Sequence, residues 1–185
     1  LADELDRELL NELQRIPLAV EEVLRTDRAI YRRGTEILAE ATDSLYLGRG
    51  ILYPIALEGA LKLKEISYLH AEGYPAGEMK HGPIALVSDG FPVVAVATAT
   101  ATREKLLGNL MEVKARGAMV VTVAEADAED VAELAELVLP VPAVHPLLQP
   151  IVAVVPLQML AYNVAVELGH DVDQPRNLAK SVTVE

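Results

Sequence analysis

In the segment ALEGALKLKEISYLHAEGYPAGEMKHGP, residues 56–83, Glu58, Lys62 and Glu65 follow one another at spacings of four and three. At 100° per residue on a helix they form one narrow stripe. Ile55, Gly59, Leu63 and Ile66 flank it on one side, and Leu57, Leu61 and Tyr68 on the other. A solvated surface helix has a broad polar face opposite a broad apolar one. A narrow charged stripe between two apolar arcs therefore predicts a largely buried helix whose charges face a cleft. In a recess, a carboxylate beside a lysine is a candidate general base. On an open surface, the same Glu58–Lys62 spacing is only an i,i+4 ion pair worth about 0.2–0.5 kcal/mol. His81 follows in GEMKHGP, where Gly77, Gly82 and Pro83 predict an irregular loop, a common seat of catalytic groups. The C-terminal segment DQPRNLAKSVTVE carries Arg176, Asn177 and Lys180 beside small residues. A lysine there could attack a carbonyl if its amine were desolvated against a recessed helix. Without such contacts the segment reads as a free terminus.

Other chemistries are poorly supplied. The four histidines are dispersed with no HxxxH or HxH spacing, and cysteine is absent, so no metal site, disulfide or thiol nucleophile is predicted. A formal net charge of −12 argues against nucleic acid as a partner, because phosphate-backbone binding needs clustered Lys and Arg. LGRG, residues 47–50, offers two glycines of a dinucleotide fingerprint without the third, and a tight strand-to-helix turn explains both. The apolar runs, such as residues 151–155, are read as too short to span a bilayer, and no signal-peptide pattern opens the chain. A soluble cytoplasmic protein is the default expectation.

These residues must be carried by a frame, and the rhythm of the chain predicts one. With 185 residues, about half of them apolar, one domain can bury a core built from aliphatic side chains. Leu5, Leu9, Leu10 and Leu13 predict an amphipathic helix stopped near Pro17. A second helix is expected over 20–24, and a third after an Asp27 cap, with Ile30, Ile37 and Leu38 inward. From residue 44, continuously apolar runs at 44–48, 92–98, 118–124 and 135–142 predict strands. Helices are expected between them, at 104–115 and from an Asp127 cap to 134, and after them at 150–168 up to Gly169. Strands that are apolar throughout and alternate with helices are the pattern of a parallel sheet covered on both faces, an α/β three-layer sandwich. In such sheets ligands sit at the carboxyl ends of the strands.

The segment at 56–83, together with DVDQPRNLAKSVTVE at 171–185, closely resembles the glucosamine-6-phosphate synthase family, the isomerising glutamine–fructose-6-phosphate aminotransferases. The resemblance covers most of residues 46–185. It implies the C-terminal sugar-isomerase (SIS) domain of the family's isomerase half, with a five-stranded parallel sheet between helices. It implies a helical connector at 1–42, the SIS domain at 43–170 and an active-site tail at 171–185. Family enzymes make glucosamine 6-phosphate from fructose 6-phosphate, using ammonia released by a glutaminase domain. By resemblance, Glu65 moves a proton between C1 and C2, Lys62 assists, and Lys180 forms a Schiff base with C2. His81 opens the sugar ring in the neighbouring subunit's site of a homodimer, Glu58 polarises the pocket, and Ala179 contacts the sugar through its backbone. No cofactor and no metal are implied.

The family's phosphate-binding SxSGxT loop belongs to its first SIS domain and is not found here, nor is the glutaminase domain. The chain, which begins at Leu1, is therefore expected to be a C-terminal fragment with little synthase activity of its own. Two other readings remain: a non-catalytic SIS module that senses a sugar phosphate, as in some regulators, and a structural dimerisation domain. Neither needs Glu65, Lys62, His81 and Lys180 as a set, since a sensor requires phosphate contacts but no base and no amine.

Overall fold

The computed structural model describes residues 2–178. Five strands form one parallel sheet: β1 (Asp43–Gly48), β2 (His70–Pro75), β3 (Pro92–Val96), β4 (Met119–Glu125) and β5 (Leu137–Val141), in the order β2-β1-β3-β4-β5. The helices are α1 (Ala2–Leu24), α2 (Arg28–Ala39), α3 (Tyr53–Ser67), α4 (Arg103–Lys114), the single turn α5 (Glu129–Ala132) and α6 (Gln149–Glu167). Alternate strand residues feed two separate cores, as a sheet covered on both sides requires. Tyr46, Val94, Val121 and Leu139 pack with α1, α2, α3 and α6, while Leu45, Leu47, Val93 and Val120 pack with α4 and the turns around it.

Several expectations meet a correction here. β2 was not read as a strand. Its sequence, HAEGYP, is polar and borders only β1, so it lacks the continuous apolar run of its neighbours. Pro17 does not end the first helix: α1 runs through it. Ile16 before the proline and Ala19 and Val23 after it are all buried in the same core. That shared burial offsets the one backbone hydrogen bond proline removes. Asp27 does cap α2, accepting from the Ala29 amide at 2.8 Å. Asp127, by contrast, caps nothing, because α5 starts at Glu129 and closes only one turn. By length and composition α6 could cross a bilayer, contrary to the reading of its apolar runs as too short. Here it is the central helix of its layer, over half buried and packed on α1, α2 and α3.

The topology sets where chemistry can sit. α3 links two parallel strands, so it starts at the carboxyl edge of the sheet and returns to the amino edge. Gly59 lets α3 lie close on α6: a Cβ there would come 2.7 Å from Leu157 Cδ1 and 3.0 Å from the Tyr46 ring.

Candidate active site

The charged stripe of α3 is built as the helical spacing dictates. Lys62 Nζ donates to Glu65 Oε2 at 2.5 Å and lies 3.8 Å from Glu58 Oε1. The hydrogen bond to Glu65 is the main cause that pushes the Lys62 ammonium above its ordinary proton affinity, with the charges of Glu65 and Glu58 adding to it against partial desolvation. Lys62 is therefore a fixed cation and hydrogen-bond donor rather than a base. The side chains of Glu58, Lys62 and Glu65 are 36, 32 and 27% exposed. The stripe is thus a half-open wall, not the enclosed one expected. Of the two flanking arcs, Gly59 and Leu63 are buried, whereas Leu57 and Leu61 are exposed. The apolar character of that second arc suggests burial, yet among the described residues it is only partly covered, Leu57 by Gly73 of β2.

Glu65 occupies the last turn of α3, at the amino edge of the sheet, the end opposite to where open α/β sheets usually bind ligands. At that same edge Asp43 and His70, the first residues of β1 and β2, pair at 2.8 Å. α3 ends on Tyr68, a C-cap residue in the left-handed conformation at φ +63°, whose N–H returns to the Lys64 carbonyl. The C-terminal segment passes against this cap. The Arg176 N–H donates to Tyr68 Oη at 2.9 Å, and the Arg176 guanidinium lies 4.0 Å over the ring. Sequence reasoning missed Tyr68 as anything but a flanking residue. The signal for it is a bulky side chain where a helix usually ends on glycine. Ala179 and Lys180 lie outside the described residues.

His81 closes the 3₁₀ turn Ala76–His81 that follows β2, at the carboxyl edge. Its side chain is 76% exposed, with Nε2 3.7 Å from Glu78 Oε2. The neighbouring Lys80 pairs with Glu112 at 2.8 Å. So the helix stripe and His81 stand on elements leading to opposite edges of the sheet, and the tail, not His81, meets the stripe's end.

The carboxyl edge holds a second polar cluster that sequence reasoning passed over. The turn after β3 carries Thr98, Thr100 and Thr102, beside the Arg49–Gly50 turn after β1. This is the point where strand order reverses, the usual ligand crevice of such sheets. Side chains of this chain meet beside it. The buried Glu125 carboxylate at the end of β4 accepts from the Ala99 amide at 2.9 Å and from Gln149 Nε2 at 3.0 Å, and faces Arg103 at 3.6 Å. Thr102 Oγ1 is turned to the Arg49 carbonyl, and Arg49 to Asn109. A surface cavity of about 440 Å³ opens elsewhere, between α2 and α6, lined by Arg28, Arg32, Asn163 and Glu167 among others, but by none of the expected site residues. Among the described residues, no group of three His, Asp or Glu side chains is arranged to hold a metal ion.

A family model described as SIS domain matches residues 37–168. The chain belongs to the SIS domain family. The chain aligns over its whole length, at 58% identity, with 30% of the glutamine–fructose-6-phosphate aminotransferase (isomerising) of Thermus thermophilus. With the enzyme of the same name from Gloeobacter violaceus it shares 56% identity over 97% of the chain and 29% of that protein. It therefore spans less than a third of these relatives and corresponds to their C-terminal part. Among solved structures it is similar to the C-terminal domain of glucosamine-fructose-6-phosphate aminotransferase from Francisella tularensis, with a TM-score of 0.82 and 43% identity over 89% of this chain and 46% of that one. The sugar isomerase domain of an RpiR transcription factor from Sphaerobacter thermophilus shares the fold, with a TM-score of 0.69 and 16% identity over 88% of this chain and 90% of that one.

Proposed function

We propose that this chain is the C-terminal isomerase domain of an aminotransferase that converts fructose 6-phosphate and glutamine to glucosamine 6-phosphate and glutamate. In that reading residues 1–42 are a helical connector, 43–170 the SIS domain and 171–185 the active-site tail. The observation that carries it is the partly exposed Glu58–Lys62–Glu65 array along α3, with Arg176 of the C-terminal segment on Tyr68 just beyond Glu65.

The roles follow from the chemistry of these groups. The neutral amine of Lys180 adds to the C2 carbonyl of the open-chain ketose, and the carbonyl oxygen leaves as water. The resulting iminium draws electrons from C2 and lowers the barrier to proton removal at C1. Ammonia delivered by a glutaminase domain then displaces the lysine at C2. Glu65, a carboxylate on a rigid helix, carries the proton from C1 to C2, since one base can reach two adjacent carbons. Lys62, held as a cation, orients Glu65 and offers positive charge to the enediol-like species as negative charge develops. Glu58 holds the other side of Lys62, and Ala179 contacts the sugar through its backbone. The exposed His81 suits an acid/base acting on a ring bound to another subunit of a cytoplasmic homodimer.

The test is Glu65→Gln in the enzyme that carries this chain. Exchange of the C1 and C2 protons of the sugar phosphate with solvent is expected to disappear while sugar-phosphate binding persists. Exchange at the unsubstituted rate would overturn the proposal in favour of a sensing or structural module.

A further inference from the structure

The His81 side chain is exposed, yet the turn that carries it is pinned to α4 at three points. Ala76 and Met79 of that turn are fully buried, and Met79 shares its core with Leu106, Leu110 and Val113 of α4. Lys80 reaches Glu112 of α4 at 2.8 Å. The third point is Arg49, the residue that follows β1. Its Nη1 donates at 3.0 Å to Oδ1 of Asn109, a buried residue of α4. The same guanidinium lies against Gly77 of the turn: a Cβ there would come 3.1, 3.2 and 3.3 Å from Nη1, Nη2 and Cζ. Gly77 is not among the glycines with positive φ, so the contact rather than the backbone asks for glycine here. The hydrogen-bond partner of Arg49 is an amide and not a carboxylate. An ion pair therefore does not account for this charge at a half-buried site, where a charge is costly to keep.

We propose that Arg49 is a positioning residue for His81: its guanidinium clamps the Ala76–His81 turn to α4 and so fixes where the imidazole projects from the carboxyl edge. This deepens the function proposed above and rests on it for the role of His81 in ring opening. A histidine that serves a sugar bound by another subunit is not steered by that sugar's own pocket. Its own domain must set its place, and a displacement of about 1 Å is enough to slow a proton transfer severely. A guanidinium suits the clamp because it is flat and carries donors along its edge. The face rests on the bare backbone of Gly77 while the edge bonds Asn109. The Arg49 carbonyl is itself held by Thr102 Oγ1 at 3.3 Å, which ties the clamp to the turn after β3 as well. Buried Met79 holds the turn against the core, and Arg49 holds it in register along α4.

The experiment compares two substrates in the enzyme that carries this chain. Fructose 6-phosphate must open its ring before it reacts. 5-Deoxyfructose 6-phosphate lacks the hydroxyl that closes the ring and is always open. Arg49→Met keeps an unbranched apolar stem and removes the guanidinium. It is expected to lower the turnover number with fructose 6-phosphate about tenfold, with little change in KM, and to leave the open-chain substrate within about twofold. Gly77→Ala displaces the guanidinium from the other side and should show the same selectivity. Arg49→Lys can still donate to Asn109 and should restore part of the loss. A variant that merely folds poorly would lose both substrates together. In this chain, limited trypsin cleavage after Lys80 should quicken about tenfold in Arg49→Met, as the loss of one charge-assisted hydrogen bond implies. Equal loss on the two substrates, or unchanged cleavage after Lys80, would overturn the clamp. Equal loss on both substrates in His81→Ala would instead overturn the ring-opening role of His81, and the clamp would then be judged by the digestion alone.

Discussion

Lys62 donates to Glu65 at 2.5 Å and faces Glu58 at 3.8 Å, so a single ammonium serves two carboxylates along one stripe of α3. Partly exposed pairs at i,i+3 and i,i+4 are worth only a few tenths of a kcal/mol each. Lys62→Met is therefore expected to cost less than about 1 kcal/mol of stability while reducing turnover of the full enzyme by at least about a hundredfold. Chemical denaturation beside steady-state kinetics checks the separation. Parallel losses in both would mean that the stripe is structural.

Stability is expected to decline on the alkaline side. Burial pushes the Tyr31 phenol up from its ordinary value of 10.0 to about 12 and raises that of Tyr46 further. Above pH 10 the unfolded chain releases these protons and the folded chain keeps them, so stability falls as pH rises. Lys62, also raised, acts in the same direction once its unfolded counterpart deprotonates. Between pH 10 and 12, Tyr31 alone accounts for a loss of about 2 kcal/mol. Urea titrations at pH 8, 10 and 11 measure this, and Tyr31→Phe should flatten the profile. A level profile to pH 11 would contradict the burial of both phenols.

Gly59→Ala sets two effects against each other. Alanine favours a helix over glycine by about 1 kcal/mol. The added methyl, however, meets Leu157 at 2.7 Å and the fully buried Tyr46 ring at 3.0 Å, and overpacking of this kind costs about 1–3 kcal/mol. The clash should win, lowering the melting temperature by a few degrees. A rise in melting temperature would show that α3 and α6 separate without cost.

The sheet was legible wherever burial acts on both faces. The runs at β1, β3 and β4 are predominantly apolar because both faces of these inner strands are covered. β2 gives no such signal: unlike the other edge strand, β5 (LVLPV), its HAEGYP sequence is mostly polar and small, and it is specified by its one neighbour and by close contacts. Gly73 shows this, since a Cβ there would come 2.9 Å from Leu57 Cα. At the site, the helical period alone brought Glu58, Lys62 and Glu65 together. It could not say which apolar arc is covered, because Leu57 and Leu61 resemble Leu63 in sequence and differ only in what faces them. The Tyr68–Arg176 contact was invisible for a simpler reason: its partners are 108 residues apart and no periodicity links them. The Ala99, Gln149 and Arg103 contacts of Glu125 come from three separate elements and were hidden in the same way.

Glu125 acts as a resident ligand. Proteins whose anion cradle fills from solution gain stability as the anion concentration rises. In this domain the occupant is part of the chain, present at a fixed effective concentration and never diluted. Folding alone therefore sets where this negative charge stands, and Ala99, Gln149 and Arg103 meet it without recruiting an ion from solution.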